Sequence, residues 1–97
     1  MKKRELVAKH REAILALAAK HGATNVRIFG SVARGEDDEA SDVDVLVKME
    51  EGSSLFEMGE LLMDLRDLLG CTVDVISEHK DMRPRFRDNV LRDAIPV

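Results

Sequence analysis

Two aspartates, Asp42 and Asp44, lie at the start of residues 42–48 (DVDVLVK), a segment whose composition is typical of a β-strand. Side chains two residues apart on a strand project to the same face, so the two carboxylates can share one cation. Carboxylate oxygens are the ligands that Mg²⁺ prefers in proteins. The spacing therefore predicts a magnesium site at the beginning of this strand.

A glycine–serine pair, Gly30 and Ser31, is separated from Asp42 by ten residues and directly follows a second apolar segment, residues 25–29 (NVRIF). Glycine permits a tight turn or a close approach to phosphate. We expect Ser31 to be the N-cap of a short helix, whose first free amides can bind phosphate oxygens. Together with the aspartates, the pair predicts a site for the phosphates of a nucleoside triphosphate.

Two other interpretations of the aspartates are weaker. A solvated acidic turn would account for the neighbouring acidic residues 36–39 (EDDE), but the apolar strand that follows argues against it. An EF-hand loop beginning at Asp37 would place Asp42 where glycine is required and Lys48 where a bidentate glutamate binds calcium. The EF-hand interpretation is therefore excluded.

The spacing of these residues resembles the signature of the minimal nucleotidyltransferases, small members of the polymerase-beta-like superfamily. That signature is Gly-Ser, ten residues, then Asp-x-Asp, within a fuller pattern of G-S-x-A-R-G followed by S-D-x-D. The matching residues are Gly30, Ser31, Ala33, Arg34, Gly35, Ser41, Asp42 and Asp44. The resemblance covers nearly the whole chain and implies an α/β (α+β) fold, the polymerase-beta-like palm, in which helices flank a small mixed sheet.

A third carboxylate from a later strand is implied by the resemblance, and Asp74 within residues 72–76 (TVDVI) is the candidate. Its apolar neighbours fit a buried strand, where a carboxylate needs a partner or a metal. The alternative is an edge-strand aspartate paired with a neighbouring arginine or lysine. By the resemblance, Asp42, Asp44 and Asp74 are the catalytic, metal-binding residues.

Gly30, Ser31 and Arg34 are the candidate nucleotide-binding residues. Arg34 has three open roles: it can bind phosphate, pair with a motif carboxylate or face solvent. Two Mg²⁺ ions held by Asp42 and Asp44 would clamp the triphosphate and stabilise charge during nucleotidyl transfer. Asp74 would hold the metal nearer the acceptor or take the proton of the acceptor hydroxyl.

The resemblance also implies a particular reaction. It points to an antitoxin of a HEPN/MNT toxin–antitoxin pair that transfers AMP from ATP to a tyrosine of its partner, a helical HEPN ribonuclease toxin. Two alternatives stay open at this point. One is nucleotidyl transfer to a small hydroxyl compound, as in antibiotic nucleotidyltransferases, and the other is an antitoxin that acts by binding alone.

Length and charge limit the partners. The 97 residues fit one small domain (1–97), so a partner must supply much of the acceptor recognition. A net charge of −4 and a pI of about 5.3 do not favour stable nucleic-acid binding. No segment is long and apolar enough to span a membrane. The single Cys71, which has no internal disulfide partner, and the absence of a signal-like apolar segment favour the cytoplasm.

The remaining pattern predicts the elements around the site. We expect a helix over residues 3–20, strands over 25–30, 42–48 and 72–76, a helix from Ser54 to Leu69, and a last helix that begins at Pro84 and extends towards Pro96. Ser54 and Glu57 have capping-box spacing, and the apolar stripe of the helix that follows them is Leu55, Met58, Leu62, Leu65 and Leu69. The strand order cannot be chosen from periodicity.

The sequence also predicts whether several other side chains are buried or exposed. Phe29 and Phe56 lie in apolar segments and are predicted in the core. The three histidines, His10, His21 and His79, have no zinc-like spacing and are predicted on the surface. The basic tail, whose members are Lys80, Arg83, Arg85, Arg87 and Arg92, alternates with Asp81, Asp88 and Asp93, so a solvated amphipathic helix is expected there.

Overall fold

The computed structural model describes residues 2–79 and 82–97, which form a four-stranded mixed sheet with five helices. The elements in chain order are α1 (Lys3–Lys9), α2 (Arg11–Lys20), β1 (Ala23–Phe29), α3 (Gly30–Arg34), β2 (Val43–Met49), α4 (Leu55–Leu69), β3 (Val73–Ser77), α5 (Pro84–Asp93) and β4 (Ile95–Pro96). The predicted α+β fold with a small mixed sheet is confirmed.

The sheet has the strand order β3-β2-β1-β4. Strand β1 is antiparallel to both β2 and β4, whereas β2 and β3 are parallel. The register pairs Phe29 with Asp44 across the first ladder and Asp44 with Asp74 across the parallel ladder. Two of the three predicted catalytic aspartates are therefore direct neighbours on adjacent strands.

The alternation of side chains gives the sheet two different faces. One face carries Val43, Val45 and Val47 of β2 and packs against α1, α2 and α4 to form the main core. The other face carries Asp44 and Leu46 of the same strand. There a smaller cluster, Phe29, Leu46 and Val90, connects the sheet to α5. The aspartate site thus lies on the sheet face opposite the main core.

Two element predictions were wrong. The expected helix over residues 3–20 is two helices that meet at His10, whose φ is −103° and ψ 17°. The last helix ends at Asp93, and Ile95 and Pro96 form a short edge strand beside β1. Proline is tolerated there because an edge position does not require its missing N–H. The N–H of Val97 extends this pairing by donating to the Val26 carbonyl at 3.0 Å.

Helix α4 begins and ends where predicted. Ser54 is the N-cap, and its Oγ accepts a hydrogen bond from the Glu57 N–H at 3.4 Å. Gly70 ends the helix with a φ of +67°. Leu65 and Leu69 of the predicted stripe are buried as expected, but the third buried leucine is Leu61, and the packed side is therefore slightly rotated from the expected one.

The first turn of α4 departs further from expectation. Leu55 is 84% exposed and Phe56 is 74% exposed, so the predictions that they pack inward were wrong. The inward side of α4 is set by Leu61 and Leu65, which are both buried against the sheet. Phe29, by contrast, is buried as predicted.

His21 also contradicts its prediction as a surface residue. It is buried, with 4% of its area exposed, and lies between two carboxylates of α4. Its Nδ1 is 2.9 Å from Glu57 Oε2 and its Nε2 is 2.7 Å from Asp64 Oδ2. These hydrogen bonds, first with Glu57 and then with Asp64, raise the pKa of His21 above its ordinary value. The Glu57 carboxylate thus binds His21 rather than completing a capping box with Ser54.

Helix α5 begins at Pro84 as predicted and is exposed along most of its length. Val90 is its one buried residue, while Phe86 is 45% and Leu91 36% exposed. The arginines of the tail that the structure describes are solvated, as expected; Lys80 and Asp81 lie outside the described residues. Within the described ranges, no helix is long and apolar enough to cross a membrane.

Candidate active site

The three candidate aspartates gather at one end of β2 and β3. Asp42 is exposed and directly precedes β2, Asp44 is the second residue of β2, and Asp74 is the second residue of β3. The parallel register places Asp44 beside Asp74. Asp44 is half-buried, whereas the Asp74 side chain is 53% exposed. The arrangement gives one carboxylate at the sheet surface and two that reach solvent.

The negative charges of this cluster affect one another. The pKa of Asp44 is raised, first by burial and then by the charges of Asp74 and Asp42, while the Arg34 guanidinium opposes the shift. Like charges held together in this way disfavour the ionised state unless a cation balances them. The donor set consists of carboxylate oxygens, which suit Mg²⁺. The residues present therefore fit the implied metal.

The three carboxylates do not form a complete set of metal ligands in this structure. Across residues 2–79 and 82–97, no three His, Cys, Asp or Glu side chains lie close enough together to hold a metal ion. A cation held by all three aspartates would therefore need their side chains to rotate towards it. Such rotation is accessible to Asp42 and Asp74, because both side chains reach solvent.

Gly30 lies against the Asp44 carboxylate. A Cβ atom added to Gly30 would be 2.5 Å from Asp44 Oδ2, closer than real Cβ contacts, and the φ of Gly30 is +73°. The tight turn expected at this glycine is therefore present, and the close approach in the structure is to a carboxylate. Any side chain at this position would push on Asp44.

Ser31 does not have its predicted role as N-cap. Helix α3 begins at Gly30, its N-cap is Phe29, and no side chain caps it. The left-handed turn at Gly30 starts the helix one residue earlier than expected. Ser31 lies within the first turn, immediately after the glycine that contacts Asp44. Its contact with phosphate stays a prediction.

Arg34 pairs with carboxylates outside the motif aspartates. Its Nη1 donates to Asp93 Oδ2 at 2.6 Å, and its Nε donates to Glu36 Oε2 at 3.0 Å. It is nevertheless near enough to Asp44 to lower the pKa of that carboxyl. Asp93 is thus a residue of the site region that the sequence did not indicate, since it lies 59 residues from Arg34.

Asp74 has a neighbouring arginine. β3 is an edge strand in which Val73 is buried, Val75 is half-buried and Asp74 itself is exposed, so the expected burial is only partly present. Arg66 Nη2 is 3.8 Å from Asp74 Oδ1, and Arg66 Nε donates to the Val73 carbonyl at 3.0 Å. A partly exposed pair at this distance contributes little energy, so it leaves Asp74 available to another partner. The edge-strand ion pair and a catalytic role are compatible.

Comparison with known proteins decides the family. A family model described as the nucleotidyltransferase domain matches residues 9–97. The chain belongs to this family. The predicted family and the predicted class of enzyme, a nucleotidyltransferase, are therefore confirmed.

Named relatives of this nucleotidyltransferase include archaeal proteins. The chain is 39% identical over 84 residues to MJ0435 of Methanocaldococcus jannaschii, a candidate protein adenylyltransferase, covering 87% of this chain and 89% of that protein. It is 38% identical over 81 residues to the protein adenylyltransferase MntA of Thermococcus cleftensis, covering 84% of this chain and 81% of that protein.

Solved structures agree with this nucleotidyltransferase fold. One, described as a candidate minimal nucleotidyltransferase, matches with a TM-score of 0.85 at 51% identity and covers 97% of this chain and 95% of that chain. Another, a toxin–antitoxin crystal structure with AMP-PNP, has a TM-score of 0.73 at 20% identity and covers 88% of this chain and 69% of that chain. At that identity the second likeness shows the fold alone.

Proposed function

We propose that this nucleotidyltransferase is a Mg²⁺-dependent protein adenylyltransferase, an antitoxin that transfers AMP from ATP to a tyrosine of a HEPN ribonuclease toxin. The observation that carries the proposal is the pairing of Asp44 with Asp74, with Asp42 close by and Gly30 against the Asp44 carboxylate. The names of the relatives support AMP as the transferred group, and the toxin–antitoxin structure with AMP-PNP supports ATP and a toxin partner.

The proposed reaction assigns separate tasks to the residues. Asp42 and Asp44 would hold two Mg²⁺ ions, which supply charge stabilisation at the triphosphate and the leaving pyrophosphate. Gly30 and Ser31 would lie along the phosphates, and Arg34 would add positive charge beside them. A protein catalyses phosphoryl chemistry mainly by positioning the reactants and by stabilising charge in the transition state.

The acceptor oxygen forms a bond to the α-phosphorus, and the bond from that phosphorus to the bridging oxygen of pyrophosphate breaks. The electron pair leaves with pyrophosphate. Asp74 would position the acceptor hydroxyl or receive its proton, and its exposed position at the edge strand lets an acceptor approach from solvent. A protonated Asp74 then returns the proton to water.

These 97 residues contain no tyrosine, which supports an acceptor tyrosine on the toxin. We propose that residues 1–97 act as one catalytic domain and that the toxin supplies much of the acceptor recognition. ATP as the substrate supports a cytoplasmic site of action. No stable nucleic-acid complex is expected for an acidic chain of this kind.

Intact-mass spectrometry tests the proposal. The chain is incubated with ATP and Mg²⁺, with and without the toxin encoded beside its gene. We expect AMP adducts on the toxin, an unchanged mass for this chain and a lower ribonuclease activity of the toxin. Inhibition without an adduct would favour an antitoxin that acts by binding alone. An adduct on this chain alone would contradict transfer to a second protein.

A further inference from the structure

Helix α4 carries an exposed apolar surface on the side away from the sheet. Leu55 is 84%, Phe56 74% and Met63 56% exposed. Phe56 and Met63 are seven residues apart, so they lie on one side of the helix two turns from each other. We name this region, comprising Leu55, Phe56, Gly59 and Met63, the α4 surface. Apolar side chains grouped in this way are typical of protein interaction sites.

Gly59 gives the α4 surface an unusual feature. Glycine in the middle of a helix is unfavourable compared with alanine. A Cβ atom at Gly59 would meet nothing within 4 Å, and its φ is not positive, so neither packing nor backbone conformation requires a glycine. Gly59 lies in a shallow, open hollow of about 500 Å³ whose lining includes Phe56 and Met63. The hollow allows another chain to approach the helix closely.

The charges around the α4 surface indicate its partner. Glu60 and Asp67 are exposed on the same helix, and Glu57 and Asp64 flank it on the side of His21. Two copies packed through this surface would bring the acidic residues of both α4 helices together, on chains that each carry a net charge of −4. A second copy is therefore a poor occupant. An amphipathic helix with an apolar stripe bordered by Lys and Arg fits both the hollow and the charge.

The location of the surface suits a docking role. Helix α4 packs on the sheet face opposite Asp44, and its first turn is at the end of the sheet away from the aspartates. A partner bound there leaves the catalytic edge open. We propose that the α4 surface binds a basic amphipathic helix of the toxin, holding it while another segment presents the acceptor. This inference rests on the proposed function, which supplies the toxin as the partner.

Binding measurements on three variants test the docking surface. The probe is the toxin encoded beside this chain, measured by titration calorimetry at two salt concentrations. We expect Phe56→Ala to weaken binding about tenfold or more, as for an interface hot spot. Glu60→Lys should also weaken it and reduce its dependence on salt. The matched control is Phe86→Ala, because Phe86 is 45% exposed but lies on α5 on the other sheet face, and it should change binding less than about twofold.

The same samples separate this inference from the proposed function. AMP transfer by the wild type with unchanged toxin affinity in Phe56→Ala would overturn the docking surface alone. Toxin binding that depends on Phe56, without AMP transfer, would overturn the proposed reaction and support the surface. The absence of both wild-type binding and AMP transfer would overturn both, whereas AMP transfer without measurable binding would overturn the docking surface alone. A self-associated chain that becomes monomeric in Phe56→Ala, seen by sedimentation, would make a second copy the occupant and contradict the proposal.

Discussion

Replacing Gly30 by alanine should damage the site more than the fold. An alanine at a φ of +73° costs about 1–2 kcal/mol in backbone strain. For a chain of 97 residues the unfolding entropy is about 0.2 kcal/mol per kelvin, so the Tm should fall by about 5–10 °C. The new Cβ would be 2.5 Å from Asp44 Oδ2, and relieving this contact moves the carboxylate by about 1 Å. A displacement of this size can lower a rate about a hundredfold.

Gly70→Ala is the matched control for this prediction. Gly70 has a φ of +67°, and a Cβ atom there would meet nothing within 4 Å. It therefore introduces similar backbone strain without touching a carboxylate. Both variants are compared by thermal unfolding followed by circular dichroism and by transfer of labelled AMP to the toxin, at a temperature where both are folded.

The two assays give a clear discrimination. We expect similar losses of Tm in the two variants but a rate loss confined to Gly30→Ala. Equal AMP transfer by both variants would refute the inference that Gly30 is needed for the position of Asp44. A much larger loss of Tm in Gly30→Ala would instead mean that the contact of the new Cβ with Asp44 destabilises the whole fold and does not specifically displace the carboxylate.

Three further predictions concern single side chains. Asp44→Asn should keep the wild-type circular dichroism spectrum yet lower AMP transfer about 10³-fold or more, since it removes a charge from the metal site; retained transfer would contradict the carboxylate mechanism. Ser31→Ala should weaken ATP binding, measured by calorimetry, by about 1.5–3 kcal/mol if its hydroxyl binds phosphate; an unchanged Kd would exclude that contact. Because the pKa of His21 is raised, its charged form stabilises the fold below about pH 6.5, and that stabilisation is lost as the pH rises through the raised pKa. The Tm difference between wild type and His21→Gln should therefore shrink as the pH rises, and a constant difference would contradict it.

The motif was predictable because it is local in sequence. Residues 30–44 lead from the end of β1 through the short helix α3 and a loop into β2. Because these elements are consecutive, they bring Gly30 and Asp44 together. Asp74 required the family resemblance, because periodicity does not reveal that β3 pairs in parallel with β2. Asp93, the partner of Arg34, lies 59 residues away. The sequence pattern predicts it only as one of the acidic residues of a solvated helix. Long-range pairing is the information that the sequence pattern lacks.

His21 was misjudged for a similar reason. Its neighbours at the end of α2, Lys20 and Gly22, are typical of a solvated helix terminus. In the structure the terminus is covered by α4, which presents Glu57 and Asp64 two turns apart on one side. A histidine between two carboxylates can be buried as a cation, because both ring N–H groups have charged acceptors. Neither α2 nor α4 alone carries a signal for this arrangement.

Helix α4 explains why an apolar pattern does not by itself locate a core. Its sequence contains two stripes: Leu61, Leu65 and Leu69 face the sheet, while Phe56 and Met63 face away. No residue of one stripe lies three or four positions from a residue of the other, so the two stripes are on opposite sides of the helix, and periodicity does not tell which of them is covered. The sheet decides between them, since it can cover only one. The other stripe remains exposed, and a glycine that nothing inside the molecule requires lies in its centre. An outward stripe of this kind is expected where a helix has two neighbours, one in its own chain and one in a partner.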